Sequence, residues 1–117
     1  MAGIARLKRR AEFLRVADSR RKSVTPGLIL QALRHAAADA AAARVGFTAS
    51  RKVGIAVERN RARRRLRAAV DRVMPLHAAP GHDYVLIARA ATIRRPFAAL
   101  LGDLETALRQ LGAWRGA

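Results

Sequence analysis

An arginine-rich stretch organises this chain and reads Arg59-Asn60-Arg61-Ala62-Arg63-Arg64-Arg65-Leu66-Arg67, inside a longer segment from Glu58 to Met74. Six of its nine residues are arginine and none is acidic. In a disordered tail such a run would be an ordinary polybasic patch. Apolar residues interrupt this run at helical spacing, however, which predicts that it belongs to a folded element.

Those apolar residues predict an amphipathic helix from Glu58 to Met74. At about 100° per residue they fall within one arc of about 100°, the stripe of a helix that packs on a core. The stripe consists of Ala62, Leu66, Ala69, Val70 and Val73. We therefore expect the arginines to face outward while the stripe is buried.

Two rows of arginines flank the stripe, and most of their charge has no acidic neighbour on the helix. One row is Arg59, Arg63 and Arg67, and the other is Arg61, Arg65 and Arg72. Only Glu58 and Asp71 stand at pairing distance along the helix. The alternative is a solvated helix face, but such faces mix both signs of charge, and arginine is the residue whose planar fork binds phosphate. The pattern favours a polyanionic ligand.

Composition supports the same class of partner. The 117 residues carry a formal net charge of +16, with 24 basic and 8 acidic side chains, so nucleic acid is the default candidate. At 51% hydrophobic residues the chain suits one modest core, and we expect a single nucleic-acid-binding domain over residues 1–117 with an ordered core of about 7–111. It has no cysteine for a disulfide or thiolate site. Without an apolar run of signal-peptide or membrane-spanning length, we expect a cytoplasmic location and no membrane contact.

Before the arginine helix, the pattern predicts a short helix followed by strands. Apolar residues at helical spacing favour a helix over Leu7–Asp18, and Pro26-Gly27 then breaks any helix. Alternation predicts strands over Leu28–Leu33 and Val45–Ala49. The alanine-rich run from Ala36 to Ala43 has no apolar periodicity, so we expect a connection there.

After the arginine helix, the pattern predicts a strand and a final helix. Pro75 is expected to close the arginine helix, with a loop from His77 to His82. Tyr84–Ala88 is a continuous apolar run, typical of a strand buried on both faces. Pro96 is expected to begin a helix that reaches Leu111, and the last residues, Ala113–Ala117, are expected to fray.

With this order of elements in hand, the chain resembles the protein component of bacterial ribonuclease P. Two motifs carry the resemblance: Val45-Gly46-Phe47-Thr48-Ala49-Ser50-Arg51-Lys52-Val53-Gly54 resembles the family's strand and turn, and Arg59 to Arg67 resembles its RNR signature. The resemblance implies an α/β fold (an α+β sandwich) in which helices flank a small sheet, in the order α-β-β-(β)-α-β-α. It also places the arginine helix in a left-handed β-α-β crossover.

The resemblance also implies a function: the protein subunit of an endoribonuclease that removes the 5′ leader of precursor tRNA. In that family the catalytic site and its Mg²⁺ ions belong to the RNA subunit, so the protein alone is expected to be inactive and to hold no catalytic or metal site. The implied partners are the RNA subunit and precursor tRNA, with no protein partner required. The alternative is a small ribosomal or other structural RNA-binding protein; a DNA-binding module is less favoured because so many arginines leave few side chains to discriminate bases.

Individual positions follow from matching the motifs. The expected RNA-binding residues are Arg51, Lys52, Arg59, Asn60, Arg61, Arg63, Arg64, Arg65 and Arg67, of which Asn60, Arg61 and Arg64 match positions associated with the RNA subunit. The expected leader cleft comprises Phe13, Arg59, Arg63 and Arg67. The chain departs from the family pattern at Ala17 and Gln31, where the family often has aromatic residues, which weakens the expectation of leader stacking.

Overall fold

The structure is a computed structural model that describes residues 4–34 and 42–116. In chain order its elements are β1 (Ala5–Arg6), α1 (Arg10–Asp18), β2 (Lys22–Val24), β3 (Leu28–Arg34), β4 (Arg44–Thr48), α2 (Ala56–His77), β5 (His82–Ala88) and α3 (Phe97–Gln110). Short 3-10 turns at Arg51–Val53 and Ala90–Ile93 precede α2 and α3. A small sheet flanked by helices confirms the predicted fold class.

The five strands form one mixed sheet in the order β1-β4-β5-β3-β2. Strand β4 is parallel to both β1 and β5, whereas β3 is antiparallel to β5 and to β2. Helix α2 joins the neighbouring parallel strands β4 and β5, so it lies in a β-α-β crossover as expected. Parallel neighbours require such a connection, because a tight turn cannot bring the chain back to the same end of the sheet.

Helices cover both faces of the sheet and produce two apolar clusters. Helices α2 and α3 pack on the face that carries Leu30, Val45 and Leu86, which are at most 1% exposed. Helix α1 packs on the other face through Val16, against Val85. Strand β5 is therefore buried on both sides, which confirms the prediction from its continuous apolar run.

The predicted apolar stripe of α2 is confirmed. Ala62, Leu66 and Ala69 are fully buried, Val70 is 1% exposed, and the partly buried Val73 packs against the same core. This burial fixes the rotation of the helix about its axis. The arginines of both rows therefore lie beside the buried stripe, at the edges of the outer face of α2.

The prediction that Pro75 closes α2 was wrong. The helix continues through Pro75 to His77, and the backbone N–H of Ala78 donates to the Met74 carbonyl at 3.0 Å. A proline in the last turn costs one backbone hydrogen bond, and the residue whose carbonyl loses its donor, Asp71, is exposed to solvent. The following loop is accordingly shorter than the predicted range, because His82 already belongs to β5.

Two further boundaries and one short strand differ from the predictions. Helix α1 begins at Arg10 rather than Leu7, because Leu7 continues the β1 pairing: its N–H donates to the Val45 carbonyl at 2.9 Å. The two-residue strand β1 has no alternation that a sequence pattern could reveal. Ala113 is fully buried, so the end of the chain does not fray there. Most of the alanine-rich run, residues 36–41, lies outside the described residues.

Candidate nucleic-acid interface

The outer face of α2 presents a row of cationic groups to solvent. Asn60, Arg61 and Arg64 are exposed, and Arg59, Arg63 and Arg67 are partly exposed at the edge nearer the sheet. Arg63 donates to the Asn60 side-chain oxygen at 3.3 Å. A cleft of about 440 Å³ separates these side chains and is lined by Val57, Asn60, Arg63, Arg64 and Arg67. The structure thus brings most of the predicted RNA-binding residues onto one surface.

The amino end of α2 adds further positive charge to this surface. Arg51 and Lys52 are exposed on the 3-10 turn that leads into the helix. Gly54 permits the tight connection between this turn and α2, since its backbone φ of 150° is one that residues other than glycine rarely adopt. The Glu58 carboxylate accepts the Ile55 N–H at 3.0 Å, so this acid caps the helix.

Arg65 occupies a different environment from its neighbours. Its guanidinium donates to the backbone carbonyl of Thr92 at 2.8 Å and also to the carbonyls of Ile93 and Arg95. The side chain therefore ties α2 to the turn before α3. Its predicted contact with RNA stays a prediction, and what the structure adds is a structural role that the arginine run alone could not reveal.

The ring of Phe47, on strand β4, lies close to the arginine row of α2. The Arg67 guanidinium lies 5.8 Å from the Phe47 ring centre and that of Arg6 lies 5.2 Å from it, within cation–π range. The Nε atoms of Arg59 and Arg67 are buried and have no hydrogen-bond partner among the described residues. The sequence pattern placed Phe47 in a predicted strand, where its alternation with Gly46 could not predict the neighbouring guanidinium groups.

The predicted leader-cleft residues lie on opposite faces of β4. Phe13 packs with the α1-side cluster, where a Cβ on Gly46 would stand 2.4 Å from the Phe13 ring. The arginine row approaches β4 from the α2 side, through Phe47. Phe13 is partly buried rather than deep in the core. A single-stranded RNA that contacted both Phe13 and the arginine row would pass over the sheet edge formed by β1.

An ion-pair network ties helix α1 to strands β4 and β5. Arg44 makes a two-pronged contact with Asp83, at 2.8 and 2.7 Å, and a third bond to Glu12 at 2.6 Å. The hydrogen bonds that Arg44 donates to the Asp83 carboxylate are the main cause that raises the pKa of Arg44. The backbone N–H groups of Arg9 and Lys8, assisted by Arg44, lower the pKa of Glu12 to about 2. This network fixes α1 on the sheet.

The positions where the chain departs from the family pattern flank the same α1 side. Ala17 is exposed on α1, and Gln31 is partly buried on β3 opposite Val85. Neither offers a ring, so Phe13 is the aromatic side chain that α1 contributes to this side.

No group of three or more His, Asp or Glu side chains among residues 4–34 and 42–116 is placed to hold a metal ion. The two described histidines stack on aromatic rings instead: His77 on Trp114 at 4.0 Å and His82 on Tyr84 at 5.6 Å between ring centres. None of the helices in this part of the chain is both long and apolar enough to cross a membrane.

Comparison with known proteins decides the family. The family model described as Ribonuclease P matches residues 1–112. The chain belongs to the ribonuclease P protein family. Two curated relatives named "Ribonuclease P protein component" agree: that of Paramagnetospirillum magneticum is 57% identical over 114 residues (96% of this chain, 86% of the relative), and that of Gluconacetobacter diazotrophicus is 56% identical over 115 residues (96% and 94%).

Solved structures show the same fold at lower sequence identity. The RNase P protein of Staphylococcus aureus superimposes with a TM-score of 0.76 at 23% identity, covering 94% of this chain and 97% of that one. The RNase P protein of Thermotoga maritima gives a TM-score of 0.71 at 24% identity, with 91% and 94% covered. Family membership confirms the predicted function, the protein subunit of the endoribonuclease ribonuclease P, and does not favour the ribosomal alternative.

Proposed function

We propose that the outer face of α2 binds the RNA subunit of ribonuclease P, chiefly through Asn60, Arg61 and Arg64. The observation that carries this proposal is their exposure on a helix whose other side is locked into the core. The flanking positions Arg51, Lys52, Arg59, Arg63, Arg65 and Arg67 extend the proposed RNA-binding surface, with Arg65 acting also through the carbonyls it holds.

We further propose that the protein contacts precursor tRNA. Its 5′ leader would run from the arginine row of Arg59, Arg63 and Arg67 across the β1 edge toward Phe13. Phe47, held between Arg6 and Arg67, offers a partly buried ring along that path. Base stacking on an aromatic side chain contributes about 1–3 kcal/mol, and phosphates beside the row would be neutralised by arginine.

Cleavage itself we assign to the RNA subunit with its Mg²⁺ ions, in the cytoplasm. The described residues include no group of three or more His, Asp or Glu side chains that could hold a metal ion, and we expect the protein to supply no catalytic group. The protein contributes fixed positive charge, which substitutes for part of the diffuse cation requirement of two RNAs held together. We expect it to act as one RNA-binding domain, without a protein partner.

Reconstitution tests this function. Precursor tRNA cleavage is measured at low magnesium with the RNA subunit alone, the protein alone, and both together. We expect cleavage only, or much faster, with both. Arg64→Ala should raise the protein concentration needed for half-maximal activity, whereas Arg72→Ala, an exposed arginine outside the proposed set, should change it less. Robust cleavage by RNA-free protein would overturn the assignment of catalysis to RNA.

A further inference from the structure

A second cationic cleft lies at the opposite end of α2 from the arginine row. It has a volume of about 690 Å³, and its lining includes Arg21, Arg34, His82, Trp114 and Arg115. We call it the carboxyl-end cleft. None of these residues belongs to the proposed RNA-binding set, and the cleft opens where β3 ends, β5 begins and the chain leaves α3.

The charge of the carboxyl-end cleft comes from three separate parts of the chain. Arg21 precedes β2, Arg34 ends β3, and Arg115 follows α3; all three are exposed. None of the described residues that line the cleft is acidic. Three guanidinium groups that line one cleft, with no carboxylate among the described lining residues, repel one another, and an anion placed between them lowers that cost.

Part of the cleft is held rigidly by hydrogen bonds. Arg21 donates to the Leu111 carbonyl at 2.5 Å, and the Arg115 N–H donates to the His77 carbonyl at 2.6 Å. The His82 ring uses Nδ1 toward the Pro80 carbonyl at 2.9 Å, which leaves Nε2 as its remaining polar atom. Groups that are already ordered lose less entropy when a ligand binds.

The arrangement around Trp114 argues for a phosphate rather than a base. His77 stacks on the Trp114 ring at 4.0 Å, and the Arg109 guanidinium lies 4.3 Å from the ring centre. The aromatic surface of Trp114 is thus already in contact with two side chains. The arginines of the cleft still offer donors that match phosphate geometry, so a phosphate suits this site better than a nucleobase.

The spacing suits a long polyanion. The cleft borders Ala79 and Pro80, which follow the last residue of α2, His77. Arg63 lies fourteen residues earlier on the same helix, or about 20 Å away at the α-helical rise of about 1.5 Å per residue. The two sites are therefore about 20 Å apart along α2, a distance that a folded RNA easily spans. Binding at two separated sites strengthens attachment without new contacts at either.

We propose that the carboxyl-end cleft binds a backbone phosphate of RNA, as a second anchoring point beyond the arginine helix. This inference rests on the proposed function, because the RNA is that of the ribonuclease P particle. The phosphate could belong to the RNA subunit or to precursor tRNA; the chemistry is the same, and the experiment separates the two.

Arg34→Glu and Arg115→Glu, each as a single variant, test the proposal, with Arg72→Glu as the control. Arg72 is exposed and does not line the cleft. We measure affinity for the RNA subunit, and affinity of the assembled particle for precursor tRNA, over a salt series. Each cleft variant should lower one of these affinities by about tenfold and make its salt dependence shallower by about one unit. The affected affinity identifies the RNA.

Melting temperatures of all variants, with and without inorganic phosphate, accompany the binding series. Cleft variants that bind both RNAs as Arg72→Glu does overturn the proposal. If phosphate then stabilises the unmodified protein alone, the cleft is a free-anion site and not an RNA contact. Arg64→Ala is measured in parallel: if it also binds normally, the proposed function fails, whereas a loss there with intact cleft variants rejects only the carboxyl-end cleft.

Discussion

Arginines in two regions of this protein have opposite surroundings. Around the rim of the sheet, Arg44 holds Asp83 and Glu12, Arg95 holds Asp103, and Arg89 donates to the Thr25 carbonyl at 2.6 Å. On the outer face of α2, the guanidinium groups of Arg61 and Arg64 make no hydrogen bond or ion pair within residues 4–34 and 42–116. Three carboxylates, those of Glu12, Asp83 and Asp103, pair with rim arginines, whereas no described carboxylate pairs with Arg61 or Arg64 on the helix face.

Charge alone therefore does not assign a role to an arginine. A rim arginine acts through a specific partner, and its loss should be seen in stability. An outer-face arginine has no such partner, and its loss should be seen in RNA binding and in the dependence of binding on salt. Arg65 stands between the two groups, since it belongs to the arginine run but is used by backbone carbonyls.

The largest effect on stability is expected from Val70→Asp, which places a charge in the buried apolar stripe of α2. Val70 is 1% exposed in the main core, so an unpaired carboxylate there should cost at least about 3 kcal/mol of unfolding free energy. RNA binding should disappear together with the fold. Thermal melting checks this, with Asp71→Ala as the exposed neighbouring control. A folded Val70→Asp variant would place the stripe elsewhere.

The distinct roles of rim and outer-face arginines are tested by comparing Arg44→Ala with Arg64→Ala. Removing Arg44 leaves the Asp83 carboxylate, 2% exposed, without its two-pronged donor, which should cost about 1–3 kcal/mol. Arg64→Ala removes an exposed side chain and should change stability by less than about 0.5 kcal/mol. Denaturant titration of both variants measures this. Equal losses would erase the distinction between rim and outer face.

A smaller effect is expected for Phe13→Ala, which tests whether the α1 side belongs with the RNA-binding surface. Because Phe13 is only partly buried, we expect a loss of about 1–2 kcal/mol, below the roughly 3–5 kcal/mol of a fully buried phenylalanine. Affinity for precursor tRNA should fall more than affinity for mature tRNA. An equal fall for the two tRNAs would remove Phe13 from the leader site.

The smallest effect concerns pH and Glu12. Its pKa falls from 4.5 to about 2 in the folded chain, chiefly through the N–H groups of Arg9 and Lys8. A lowered carboxyl pKa stabilises the fold fully above about pH 4.5, and that contribution is lost as the pH falls toward 2. The melting temperatures of the unmodified protein and Glu12→Gln should differ at pH 7 and converge toward pH 2. A constant difference would contradict this.

The sequence predicted the elements whose apolar periodicity is long. The stripe of α2 and the run in β5 are decided by burial, and burial leaves a repeating trace in the sequence. The predicted strand over Val45–Ala49 was also found, shifted by one residue to Arg44–Thr48. The outer face of α2 followed from the stripe, since fixing one side of a helix fixes the other.

What the sequence could not predict depends on contacts between distant residues. Arg65 reads like its neighbours in the run, yet carbonyls nearly thirty residues away bind it. The tail was expected to fray, but Trp114 pairs with Ala78 across a β-bridge and stacks on His77. The separation of Phe13 from the arginine row by β4 depends on which sheet face each helix covers. None of these features leaves a local pattern.

We propose that the outer face of α2 binds the RNA subunit by neutralising its phosphates. The most direct test is the salt dependence of that binding for the unmodified protein, Arg61→Ala/Arg64→Ala and Arg44→Ala. We predict that log K falls with log salt with a slope of several units for the unmodified protein, is shallower by about two units in the double variant, and keeps its slope in Arg44→Ala. A double variant that binds as tightly and with as steep a salt dependence as the unmodified protein would contradict the claim and place the RNA elsewhere.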